Sequence, residues 1–103
     1  MIVLKPASEI ARILGQRLRT RRLLQNVTQE DLAQRAGLSV GTIRRLEDEG
    51  RCSLFTLLTV VKTLGITQEL EDLFEPPRTS IRELERAAEA RSRQRASGTR
   101  GGK

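Results

Sequence analysis

Guanidinium groups dominate the side chains of this sequence that could do chemistry. Lys and Arg together number 19 against 13 Asp and Glu, a net charge of +6, and nearly all of the cations are Arg. A guanidinium is a planar fork of donors that matches the paired oxygens of phosphate, so the chemistry on offer is non-covalent recognition of anions and acceptor-rich edges. Two such forks, Arg44 and Arg45, follow the hydroxyls of Ser39 and Thr42 within two helical turns. Covalent chemistry has little to work with. The chain has no His, Trp or Tyr and a single thiol, Cys52. Metal coordination by Cys and His, disulfide frameworks and imidazole catalysis therefore find no support, and Cys52 is expected to pack rather than react. The reading is of a non-enzymatic protein with no cofactor.

Positioning these groups falls to the run Thr28 to Leu46, TQEDLAQRAGLSVGTIRRL. Thr28 is an N-cap whose hydroxyl can accept from a free amide of the first turn, and Asp31 stands three residues on, the spacing of a capping box. Val27 and Leu32 flank that cap at the positions of a hydrophobic staple, and Leu38 and Ile43 flank Ser39 in the same way. Two helix starts so close together mean two short helices. Between them Gly37 falls where the first must end in a left-handed residue, a conformation that costs a residue with a Cβ roughly 1 kcal/mol or more. Leu32, Ala36, Leu38, Ile43 and Leu46 then face inward, and Ala33 is small enough for the two backbones to cross closely.

This run resembles the helix-turn-helix of the phage-repressor-like (Cro/Xre) family, whose pattern has Gln first, Ala fifth, Gly ninth and Ile or Val fifteenth. Gln29, Ala33, Gly37 and Ile43 meet all four. The likeness extends through LGQRLRTRR upstream and SLFTLLTVVKTLG downstream. It implies an all-α fold, a lambda-repressor-like five-helix DNA-binding domain over residues 8–75. It also implies roles. The positions that meet base edges are held by Ser39, Val40, Gly41, Thr42 and Arg45. Val40 can touch a thymine methyl but cannot read a purine, Arg45 is the candidate for a bidentate guanine contact, and Arg44 is the one for a phosphate. Ser39 and Thr42 can bond either. Gln29, at the start of its helix, suits a phosphate oxygen. Arg22 and Glu47 match an ion pair between helices 1 and 3 that would hold the recognition helix to its scaffold.

Elsewhere the sequence predicts a first helix from after Ser8 to about Gln25 with Ile10, Leu14 and Leu18 inward, ended by Asn26. Ser53 caps a fourth helix with Leu54, Leu57, Leu58, Val61 and Leu64 inward, ending at Gly65. Thr67 begins a fifth helix that ends at Phe74, and Pro76 and Pro77 close the domain. Ser80 and Glu83 read as a capping box for a C-terminal helical extension over residues 76–93, with Ile81, Leu84 and Ala88 as a thin stripe. The remainder, 94–103, reads as a disordered basic tail. Ile2 to Leu4 could form a short strand or arm.

Charge is unevenly distributed. Residues 1–51 hold 10 basic and 6 acidic side chains, residues 52–77 hold 1 and 4, and residues 78–103 hold 8 and 3. A DNA duplex would be drawn to the first segment, with the acidic middle turned away from phosphates. The tail arginines Arg86, Arg91, Arg93, Arg95 and Arg100 could add phosphate contacts or keep a solvated helix soluble. MIVLKP is too short for a signal-peptide core and the apolar run Leu54 to Leu64 is too short for a membrane span, so a cytoplasmic protein is expected.

One recognition helix reads too few base pairs for useful selectivity, so a homodimer is expected, with Leu70, Leu73 and Phe74 at its interface. Phe55 departs from the family pattern, which is polar there. It either packs locally under the N-terminal arm or, with Val60, marks apolar surface that a partner fills. Three functional readings are open. The first is a sequence-specific repressor on an inverted repeat. The second is the antitoxin of a toxin-antitoxin pair, because the loop Glu49 to Cys52 with the helix after it looks like regulators that accompany HipA-type kinase toxins (a HipB-like antitoxin). The third, a pure protein-interaction module, is the least favoured.

Overall fold

The computed structural model describes residues 1–101, without the side chains of 78–80 and 96–101. Five α-helices follow one another: α1 (Ala7–Leu24), α2 (Gln29–Ala36), α3 (Val40–Glu49), α4 (Leu54–Thr63) and α5 (Arg78–Gly101). Short 3-10 helices precede α1 at Ile2–Leu4 and follow α4 at Thr67–Leu70, and no strand occurs among the described residues. Two compact units divide the chain, Met1–Glu71 and the segment from Asp72 onward.

The first unit is built by one local device used three times. Asn26, Gly37 and Gly65 take left-handed φ values of 58°, 69° and 73°. Each directs the apolar residue that follows it, Val27, Leu38 or Ile66, to donate its amide to the carbonyl five residues back, at 3.3, 2.9 and 3.1 Å. That closes the preceding helix end and carries the next side chain toward the core, where Val27 and Ile66 are buried. A Thr or Ser comes next. Thr28 and Ser39 accept the amides of Asp31 and Thr42 at 3.0 and 3.1 Å, opening α2 and α3.

After Ile66 the device stalls. Thr67 makes no side-chain cap, and the expected fifth helix is only the 3-10 turn Thr67–Leu70. Glu69 with Asp72 and Glu71 with Glu75 would be like-charge pairs three and four residues apart, near a helix C-terminus that disfavours anions. Phe74 instead takes a left-handed φ of 62°.

The core comprises Leu18, Val27, Leu32, Ala33, Ile43, Leu46, Val60, Val61, Leu64 and Ile66, with Leu38, Val40, Leu57 and Leu70 packed against it. Several expectations need correction. Leu14, Leu54 and Leu58 are exposed, and Val60 is buried in place of Leu54. Ala36 and Ile10 are half-buried. Cys52 is exposed rather than packed. Leu70 is partly buried against the core, and Leu73 and Phe74 are exposed.

The α1–α3 crossing rests on two glycines. A Cβ at Gly15 would overlap the carbonyl oxygen of Leu46, and one at Gly50 would overlap the backbone of Ala11. A glycine inside a helix is otherwise a cost, and here it lets α3 approach α1 backbone to backbone. In the second unit α5 begins at Arg78, two residues before the expected cap; the Ser80 side chain lies outside the described residues. The helix continues through 94–101, where the sequence reading has a tail, and residues 102 and 103 lie outside the described residues.

Candidate nucleic-acid interface

The inner face of α3 is fixed before its outer face can meet anything. Ile43, Leu46 and Glu47 are buried on α3. Glu47 is an acid inside a hydrophobic core, which is tolerable only if its charge and lone pairs are matched. Arg22 of α1 does this with a two-pronged bond: Nε donates to Oε2 at 2.8 Å and Nη2 donates to Oε1 at 2.9 Å. Its third nitrogen, Nη1, donates to the Val27 carbonyl at 2.8 Å. Arg22 and Glu47 are 4% and 2% exposed. The hydrogen bond to Glu47 raises the Arg22 pKa further above its usual value, against the opposing effect of burial. One network thus joins α1, the turn before α2, and α3.

Gln29 belongs to this network too. Its Nε2 donates to Glu47 Oε1 at 3.0 Å, a link that residue types alone did not reveal. An amide nitrogen carries two hydrogens, so the second remains available to an outside acceptor. Beside it an open groove of about 460 Å³ is lined by Arg19, Arg22, Asn26, Thr28, Gln29 and Glu30. Arg19, exposed on α1, is a cation at this groove that sequence reasoning left out.

On the outer side, Ser39 and Thr42 engage one another, Oγ to Oγ1, at 2.8 Å. Ser39 Oγ also accepts the Thr42 amide as the cap of α3, and Thr42 is half-buried. Val40 is half-buried against the core, which leaves only part of its side chain for any outside contact. Gly41 is exposed and leaves the first turn of α3 open to close approach. Arg44 and Arg45 are exposed. Arg44 lies 4.0 Å from Glu30 in a solvated pair, which holds it only weakly. The expected residues of this interface therefore fall into two groups: Arg22, Glu47 and Gln29 in one bonded network, and Ser39, Val40, Thr42, Arg44 and Arg45 along the first turns of α3.

Two short helices meeting at Gly37, the second fixed on its inner face and bare on its outer one, form a helix-turn-helix. The family model described as "Helix-turn-helix domain" matches residues 13–74. The chain belongs to that family. A helix-turn-helix domain is a DNA-binding element. Families of this kind are typically non-enzymatic. Comparison with curated proteins found no match. Among the described residues of this helix-turn-helix protein, no helix is long and apolar enough to cross a membrane.

Proposed function

We propose that the chain is a sequence-specific regulator of transcription that binds double-stranded DNA, a cytoplasmic Cro/Xre-type repressor occupying an inverted repeat as a homodimer. The observation that carries this reading is the contrast across α3. Its inner face is tied down by Arg22 and Glu47, and its outer face carries two exposed guanidinium groups. Arg45 reads a guanine edge through O6 and N7, and Arg44 reaches a phosphate, exchanging its loose pairing with Glu30 for a stronger anion. Gln29 and the free amides at the start of α2 take a second phosphate, with Arg19 adjacent. Ser39 and Thr42 contact whichever acceptor comes within reach, and Val40 lies against a thymine methyl.

The test is Arg45→Ala against a panel of operator variants. Base readout predicts a loss of about 1 to 3 kcal/mol confined to one base-pair position, with discrimination relaxed there. Uniform weakening across all sequences would identify Arg45 as a phosphate contact instead. One observation favours a second reading, a HipB-like antitoxin. The α5 helix, Arg78–Gly101, follows the DNA-binding unit in the chain and buries no described side chain, as an element held ready for a protein partner would. Co-purification with the product of a neighbouring gene separates this reading from the first.

A further inference from the structure

Helix α4 has two apolar faces, and the protomer uses one of them. Leu57, Val60, Val61 and Leu64, at i, i+3, i+4 and i+7, pack into the core. Leu54, Phe55 and Leu58 form a second cluster on the helix, 70%, 78% and 40% exposed. A contiguous apolar patch left in water usually marks a contact surface.

The polar groups of α4 add to this. Ser53 donates to Thr56 Oγ1 at 3.0 Å, Thr59 donates to the Phe55 carbonyl at 2.8 Å, and Thr63 donates to the Thr59 carbonyl at 2.8 Å. These hydroxyls are engaged within the helix, so drying its surface leaves few donors unmatched. From Cys52 to Val61 the chain also carries no charged residue, in a protein where 31% of residues are charged.

We propose that the Leu54–Phe55–Leu58 face of α4 is where a second copy of this chain docks. The identity of the occupant follows from charge. Two copies each carrying +6 repel wherever like charges meet, and α4 offers a patch where none do. The alternative pair, Leu73 and Phe74, sits among Glu71, Asp72 and Glu75, so a symmetric contact there would set carboxylates against carboxylates. A two-fold contact apposes one patch to itself, and an uncharged apolar patch is complementary to itself. Phe55 supplies the aromatic anchor that dominates such contacts. The inference deepens the reading of a paired repressor by naming the surface that pairs.

The experiment measures the mass of the full chain by sedimentation across a concentration series without DNA, so that its outcome is independent of whether the protein binds an operator. The wild type is expected to be a dimer. Phe55→Glu and Leu54→Glu should each raise the dimer dissociation constant at least tenfold. Phe55→Ser, which removes the ring without adding charge, should weaken pairing in the same direction, and Phe74→Glu should leave it unchanged. Unaltered helical content by circular dichroism shows that each variant is folded, as the exposure of these side chains leads one to expect. A monomeric wild type overturns the proposal, as does a dimer that survives the α4 variants or one that Phe74→Glu dissolves. A dimer lost through Phe55→Glu in a protein that ignores DNA would uphold the surface and sink the repressor reading.

Discussion

Helices α3 and α4 are built to the same local plan and meet the outside with opposite chemistry. Each has ten residues, and each opens on a serine whose hydroxyl accepts a threonine amide three residues on at 3.1 Å, with the paired hydroxyls 2.8 and 3.0 Å apart. A left-handed glycine follows each, Gly50 or Gly65. Outward, α3 shows Arg44 and Arg45, whereas α4 shows Leu54, Phe55 and Leu58. Inward, α3 buries a carboxylate and α4 buries only aliphatic groups. Caps and turns therefore decide that a helix forms and where it starts. The side chains between them decide what the helix is for.

Deleting the feature that α3 has and α4 lacks should have the largest effect. Glu47→Ala leaves the Arg22 guanidinium buried without its partner, and about 3 to 5 kcal/mol of stability should be lost in urea unfolding. A loss below about 1 kcal/mol would mean that Arg22 can swing out to water, and that α3 is held no differently from α4.

Testing what the two helices share comes next. Ser39→Ala and Ser53→Ala should each cost roughly 1 kcal/mol, and by similar amounts if the caps are equivalent. A much larger cost at Ser39 would show that α3 needs its first turn more than α4 does.

The smallest effect lies just beyond α4, where Glu69 on the 3-10 turn pairs with Arg21 of α1 at 2.6 Å. The hydrogen bond from Arg21 holds the Glu69 carboxyl below its usual pKa. A depressed carboxylate contributes stability that is present above the unfolded-state value, near 4.3, and is lost as pH falls through the lower folded-state value. Glu69→Gln should therefore lower the melting temperature slightly at pH 7. The gap should close as pH falls through that lower folded-state value and shrink in high salt, because the pair is exposed. A gap unchanged by acid would assign the effect to something other than this pair.

The α2–α3 corner is the most legible part of the chain. The caps at Thr28 and Ser39, the left-handed Gly37 and the residues Leu32, Ile43 and Leu46 are readable because each rests on neighbours within a turn or so. Arg22 and Glu47 are 25 residues apart, and pairing them took a resemblance to a family as well as the residue types. The α4 face was misassigned for a specific reason. With Leu54, Phe55, Leu57, Leu58, Val60 and Val61 all apolar, periodicity has no polar side to exclude, and Val60 was exchanged for Leu54. The fifth helix was misread because Thr67 looks like a cap, while the acidic run after it opposes a longer helix.

The sequence by itself determined an all-α chain, the turns at Asn26, Gly37 and Gly65, the starts of α2, α3 and α4, and the motif to which Gln29, Ala33, Gly37 and Ile43 belong. These are settled by bonds that span three to five residues and need no distant partner. Tertiary structure alone decided which side of α4 is buried, that Gln29 joins the Arg22–Glu47 network, and that Gly15 and Gly50 let α1 and α3 touch. Each of those depends on which remote backbone or side chain arrives opposite, and no local spacing encodes that meeting.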